Sequence, residues 1–148
     1  MTVDRVIVMI PFAQKKILAL VPFLLLAACT ALRPGPPPVS ENPAVLTLVE
    51  QARADAALNK VQSAAGTVER ALRIEPRNPR LWQELAHLHL TLGDHAQAES
   101  FAARSNTWAG GDRALGAANW RLIATAREAR GDTAGAQAAT ARAVELER

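Results

Sequence analysis

Between Pro79 and Leu92 apolar and polar residues alternate with a helical period, not the period of two that marks a strand. At about 100° per residue, Leu81, Leu85, Leu88 and Leu92 fall on one narrow stripe, and Trp82, Ala86 and His89 on a second face beside it. Arg80, Gln83, His87 and Leu90 fall opposite the leucines. A helix with two apolar faces and one mixed face is expected to pack between two neighbours. Gly93-Asp94 follow at once, a pair suited to ending one helix in a left-handed residue and capping the next.

The pattern recurs along the chain, as stacked helical units require. Trp82, Leu85, Ala86, Gly93-Asp94 and Ala98 reappear as Trp120, Ile123, Ala124, Gly131-Asp132 and Ala136. Going the other way, Ala52, Ala64 and Ala71 stand where Ala86, Ala98 and Ser105 do. Three units therefore occupy residues 45–78, 79–112 and 117–148. In the first unit Asn59-Lys60 replaces Gly-Asp, and Asn is the next-best residue for a left-handed position. The extra residues before the third unit predict a longer first helix there, capped by Asp112 behind the Gly110-Gly111 break. The recurring alanines mark helix crossings, where a larger side chain would push the axes apart. The expected fold is all-α, a solenoid of three helix-turn-helix repeats with six helices of about 14 residues over residues 44–148. Helices of that length are marginal alone, so stacking has to stabilise them.

These units resemble the tetratricopeptide repeat. The middle copy carries that family's Trp82, Leu85, Ala86, Gly93-Asp94 and Ala98, and the copy before it closes with "ALRIEPRNP". The resemblance implies a groove lined by the first helices of successive repeats, which binds an extended peptide or a partner helix. Carried over, the groove uses Val49 and Arg53 from the first repeat, and Arg80, Gln83, His87 and Leu90 from the second. Arg121, Thr125 and Glu128 come from the third. Its three arginines would suit a carboxylate or an acidic peptide. The expected role is a protein–protein interaction adaptor or scaffold, not an enzyme.

Composition supports helices: apolar residues make up 49% of the chain, yet aromatics are 4% and tyrosine is absent. A different pattern governs the N-terminal end. In "KKILALVPFLLLAAC" two lysines precede an apolar run and small residues precede Cys29, the only cysteine. Positive region, apolar core and small-residue cleavage site make a secretory signal. The run from Ile17 to Ala28 rises about 18 Å as a helix, short of the ~30 Å hydrocarbon core, and Pro22 interrupts it. Leu26, Ala27, Ala28 and Cys29 resemble the lipobox of bacterial lipoproteins. That resemblance implies a signal peptide over residues 1–28 and a lipid-bearing Cys29 at the mature N-terminus. Thr30 after it, in place of Asp, points to the outer membrane, with the protein facing the periplasm. Prolines then crowd "ALRPGPPPVSENP", so residues 29–43 read as the lipidated cysteine followed by a semi-rigid spacer.

Charge adds little. The chain has 17 Lys and Arg against 14 Asp and Glu, a net +3, and much of the excess lies before Cys29. Beyond it, arginines alternate with carboxylates without forming the basic stripe of a nucleic-acid binder. His87 and His89 are about 200° apart on their helix and cannot share an ion, and His95 sits in the turn. "ELAH" (Glu84 to His87) has the Glu-x-x-His spacing of di-iron bundles, but only once. No cofactor or metal is expected, and no nucleophile, phosphate-binding or zincin motif occurs in the sequence. Trp82 and Trp120 are expected in the core or between helices, and Trp108 is expected to seal the second hairpin where the first has Ile74. The partner is then a protein or peptide of the cell envelope, in pilus, secretion, outer-membrane or cell-wall machinery, with the membrane held through lipid on Cys29. Two alternatives are a structural lipoprotein that self-associates through its last hairpin, and a metal-binding accessory using the histidines.

Overall fold

The computed structural model describes residues 38–148. The stretch expected to be a signal peptide, the expected lipobox at Leu26–Cys29, Thr30 and the expected spacer as far as residue 37 lie outside the described residues. Within them the chain forms six helices and no strand: α1 (Pro43–Ala57), α2 (Val61–Ile74), α3 (Pro79–Thr91), α4 (His95–Trp108), α5 (Arg113–Ala129) and α6 (Thr133–Glu147). Each helix packs on the next, and α3 also meets α5, the first helix of the following repeat. This is the all-α repeat solenoid that the periodicity predicts.

Local chemistry sets the helix starts. α1 and α3 both begin with Asn-Pro: the Asn42 and Asn78 side chains accept from backbone N–H groups of the first turn, and proline occupies the first helical position. Asp112 caps α5 by accepting from the Leu115 N–H at 2.9 Å, and Asp132 caps α6 through the Gly135 N–H at 2.9 Å. Asp94 departs from expectation. It occupies the cap position of α4 but makes no side-chain cap bond, because its carboxylate turns to Nδ1 of His89 at 3.3 Å.

The three turns inside the repeats share one geometry. Asn59, Gly93 and Gly131 have φ of 60°, 80° and 80°. In each, the following N–H reaches back to a carbonyl five residues earlier: Lys60 to Asp55, Asp94 to His89, and Asp132 to Arg127, at 2.9 to 3.0 Å. That satisfies carbonyls the helix end leaves bare. The first repeat thus makes the same turn with Asn59 that the others make with glycine.

The core forms two clusters, and α3 feeds both. Leu81, Leu85 and Leu88 pack with Val45, Val49, Val68 and Leu72 of the first repeat. Ala86, on the second face, packs with Ala102, Leu122 and Ile123, and half-buried Leu90 leans on the same group. The two apolar faces of the sequence pattern are therefore the two sides on which repeats stack. α5 is the longest helix, as expected, and approaches α6 closely at Gly116, where a Cβ would lie 3.2 Å from Cδ1 of Leu146.

The spacer is shorter than the sequence suggests. Val39 packs on the first core cluster, and its carbonyl accepts from Nδ2 of Asn78 at 2.9 Å. Ser40 is buried and donates to Glu75 at 2.6 Å. Residues 39–42 are thus tied to the turn between α2 and α3.

Candidate functional site

The first helices α1, α3 and α5 carry the predicted groove, and the structure distributes its nine residues unevenly. Val49 is 2% exposed and belongs to the first core cluster, so it cannot line a groove. Its sequence position matched an exposed one, but in α1 that position is buried in the cluster shared with α2 and α3. Leu90 is half-buried against α5 residues and serves the repeat junction. Arg53, His87, Arg121, Thr125 and Glu128 are exposed, while Arg80 and Gln83 are half-buried.

Most of the polar groups there are already engaged. Arg53 pairs with Glu84 at 3.9 Å, Arg80 with Asp112 at 3.2 Å, and Arg121 with Glu147 at 2.6 Å. The expected trio of free arginines is therefore a set of compensated pairs, each exposed enough to contribute only about 0.2–1 kcal/mol. Gln83 Nε2 donates to Oδ1 of Asn119 at 2.9 Å. Asn119, fully buried, in turn donates to Ser105 Oγ at 2.7 Å and Asn106 Oδ1 at 3.0 Å, and Ser105 donates to the Pro79 carbonyl at 2.7 Å. This network ties α3, α4 and α5 together beneath the groove. No sequence motif announces it; a polar residue inside the Leu115–Ala126 apolar pattern was its only trace. The groove thus presents mixed charges, not a basic strip.

The histidines are separated, as the helical angles require. His87 is exposed; His89 is buried, with its ring 4.9 Å from that of Phe101 and edge-on to it; His95 opens α4. Among the described residues no three His, Cys, Asp or Glu side chains are grouped so as to hold a metal ion. Cys29 lies outside the described residues.

A second constellation lies on the face of α2 and α4. Trp82 stacks on Phe101 with centroids 5.8 Å apart, and its Nε1 donates to the Pro76 carbonyl at 2.9 Å. The Arg104 guanidinium lies 4.8 Å over the Trp82 ring, and Arg77 lies 5.2 Å over that of Trp108. Trp108, 39% exposed, does not seal the second hairpin as expected; it projects from the end of α4 toward the preceding turn. A cleft of about 510 Å³ opens here, lined by Glu69, Leu72, Arg73, Pro76, Trp82 and Phe101 among others. Sequence reasoning missed this group because its members come from three helices. The one local signal was Arg104 and Trp108, four apart on one helix face.

A third feature is a shallow depression of about 800 Å³ between α5 and α6, lined by Ala124, Ala129, Ala136 and Ala141 and by polar side chains that include the predicted groove residues Thr125 and Glu128. On the preceding repeat the equivalent Ala86 is covered by α5.

Comparison with known proteins agrees with this architecture. A family model described as tetratricopeptide repeat matches residues 48–119. No curated protein matches the chain. Among solved structures, the globular C-terminal domain of P. aeruginosa LpoP is 42% identical, with 70% of this chain and 98% of that one covered and a TM-score of 0.68. The Sgt2 TPR domain from Aspergillus fumigatus is 24% identical over 76% of this chain and 72% of its own, with a TM-score of 0.65. MamA is 17% identical over 70% of this chain and 58% of its own, with a TM-score of 0.64. These last two show likeness of fold alone.

Proposed function

This chain belongs to the tetratricopeptide repeat family, and from that premise we propose that its folded part is the protein-binding end of a lipid-anchored adaptor in a bacterial cell envelope. The observation that carries the reading is the succession of first helices, with α3 meeting α5 and Arg53 of α1 reaching Glu84 of α3, which brings exposed polar residues such as Arg53 and His87 from different repeats onto one surface. Such a surface suits the backbone and alternating side chains of an extended segment or an amphipathic helix. The anchoring half of the proposal rests on the order of elements in the sequence: apolar run, small residues, Cys29, prolines, then the solenoid. The 42% identity to the LpoP domain, over 98% of its length, supports a bacterial setting. Thr30 favours the outer membrane, with the solenoid held in the periplasm.

The test uses the full chain in cells with His87 replaced by a photo-reactive phenylalanine. An adduct with an envelope protein is expected, and Cys29→Ser should lower its yield at least tenfold, because anchoring raises the local concentration of the domain. A chain that takes up no labelled palmitate at Cys29 loses the anchor, and one with no protein adduct loses the groove.

A second reading, self-association, is favoured by the shallow depression between α5 and α6, which no other described helix fills. Val144 is 41% exposed and shares by its spacing the face of Gln137, Thr140 and Ala141. Concentration-dependent sedimentation would support it.

A further inference from the structure

We propose that the cleft on the α2–α4 face is a second docking site, which takes an acidic segment of a protein partner carrying one large apolar side chain. Three observations converge. First, the free positive charge is here and not in the first-helix groove. None of the ion pairs among the described residues includes Arg73, Arg77 or Arg104, whereas Arg53, Arg80 and Arg121 are all paired. Secondly, two of those guanidiniums are held over tryptophan faces, Arg104 over Trp82 and Arg77 over Trp108. A stacked guanidinium keeps its N–H edge free to receive a carboxylate while its flat face is already ordered, which lowers the entropy cost of binding. Thirdly, Arg73 lines a cleft whose apolar floor is Leu72, Trp82, Leu85 and Phe101, and Arg104 sits over the Trp82 ring of that floor.

Charge complementarity selects the occupant. An apolar floor with the unpaired Arg73 and Arg104 beside it, against the single carboxylate of Glu69 on the lip, matches a segment whose apolar anchor is flanked by Asp or Glu. Tryptophan and arginine around a desolvated pocket are also the residues that dominate measured interface energies. A flat bilayer surface fits less well, since the floor is recessed between two helices. On α3, Trp82 and His87 are about 140° apart, so this site and the first-helix groove look in different directions. Both can then be occupied at once.

The experiment places p-benzoylphenylalanine at Glu69, on the lip of the cleft, in the full chain expressed in cells, with His87 replaced in a parallel strain. The expected product at position 69 is an adduct with a protein segment in which carboxylates flank a large apolar residue. Adding Arg73→Glu and Arg104→Glu should reduce that adduct about tenfold or more while leaving the His87 adduct unchanged. Both arginines are exposed, and an unaltered melting temperature shows that the fold survives. An adduct with phospholipid, an adduct with a second copy of this chain, no adduct, or a yield indifferent to charge reversal would each overturn the proposal. Loss of the position 69 adduct alone leaves the adaptor reading in place, and loss of the His87 adduct alone removes that reading without touching this one.

Discussion

Asn119 has no exposure and no apolar surface to offer, yet it sits where three helices meet. Its amide is fully used, receiving from Gln83 and donating to Ser105 and Asn106. A buried polar group so satisfied fixes the angle and register of the second and third repeats, because any slip leaves several donors unpaired at once. Asn119→Ala should therefore cost about 2–3 kcal/mol in urea unfolding, more than its small volume change implies. A cost near zero would mean that packing alone sets the junction. At this scale the sequence was legible for backbone-driven positions and opaque for networks. Gly93, Gly131 and Asn59 were readable because a positive φ restricts residue type locally. Asn119 was not, since its partners lie on two other helices. Asp94 was misread for the same reason: its capping role was lost to His89, a residue of the preceding helix.

The helices were readable because each carries its own period. α3 shows this best: its leucines and its Ala86 face were separable on paper, and they enter different core clusters. The alanine positions make the crossings tight. Ala86 and Ala98 have no exposed surface, and Ala86 is in the cluster that joins the second repeat to the third. Ala86→Leu should therefore separate the helices and destabilise the domain by about 1–3 kcal/mol, lowering its melting temperature by several degrees. An unchanged melting curve would show that the crossing has room to spare. Val49 shows the limit of reading by elements. By repeat alignment it occupies a groove position, but in α1 that position is closed over and the residue serves the core.

For the whole molecule, a stack of repeats has two ends, and each is handled differently. At the first, Val39 and Ser40 fold back and tie down the turn between α2 and α3, through hydrogen bonds to Asn78 and Glu75. At the other, α5 and α6 present a depression lined by alanines and by Thr125, Glu128, Gln137 and Thr140, with Val144 exposed and no further helix over them among the described residues. If this end pairs with a second copy, the protein sediments with concentration-dependent mass, and Val144→Asp returns it to a monomer by placing a charge in the buried contact. Monomeric behaviour of the unaltered protein at high concentration would remove that contact from consideration.

What the sequence determined by itself was what local rules hold: six helices, the Asp112 and Asp132 caps of α5 and α6, left-handed turns at fixed places and a repeat long enough to count. These follow from backbone sterics and from a period of 3.6, which any window of a dozen residues carries in full. What only the tertiary structure decided was which charges remain free. Arg53, Arg80 and Arg121 look identical in sequence to Arg73, Arg77 and Arg104, but the first three meet carboxylates from other repeats or helices, the Asp112 cap among them, and the second three do not. The reason is physical. A guanidinium is answered by whatever the stacking of repeats brings within a few ångströms, and the order of residues along one helix says nothing about the next.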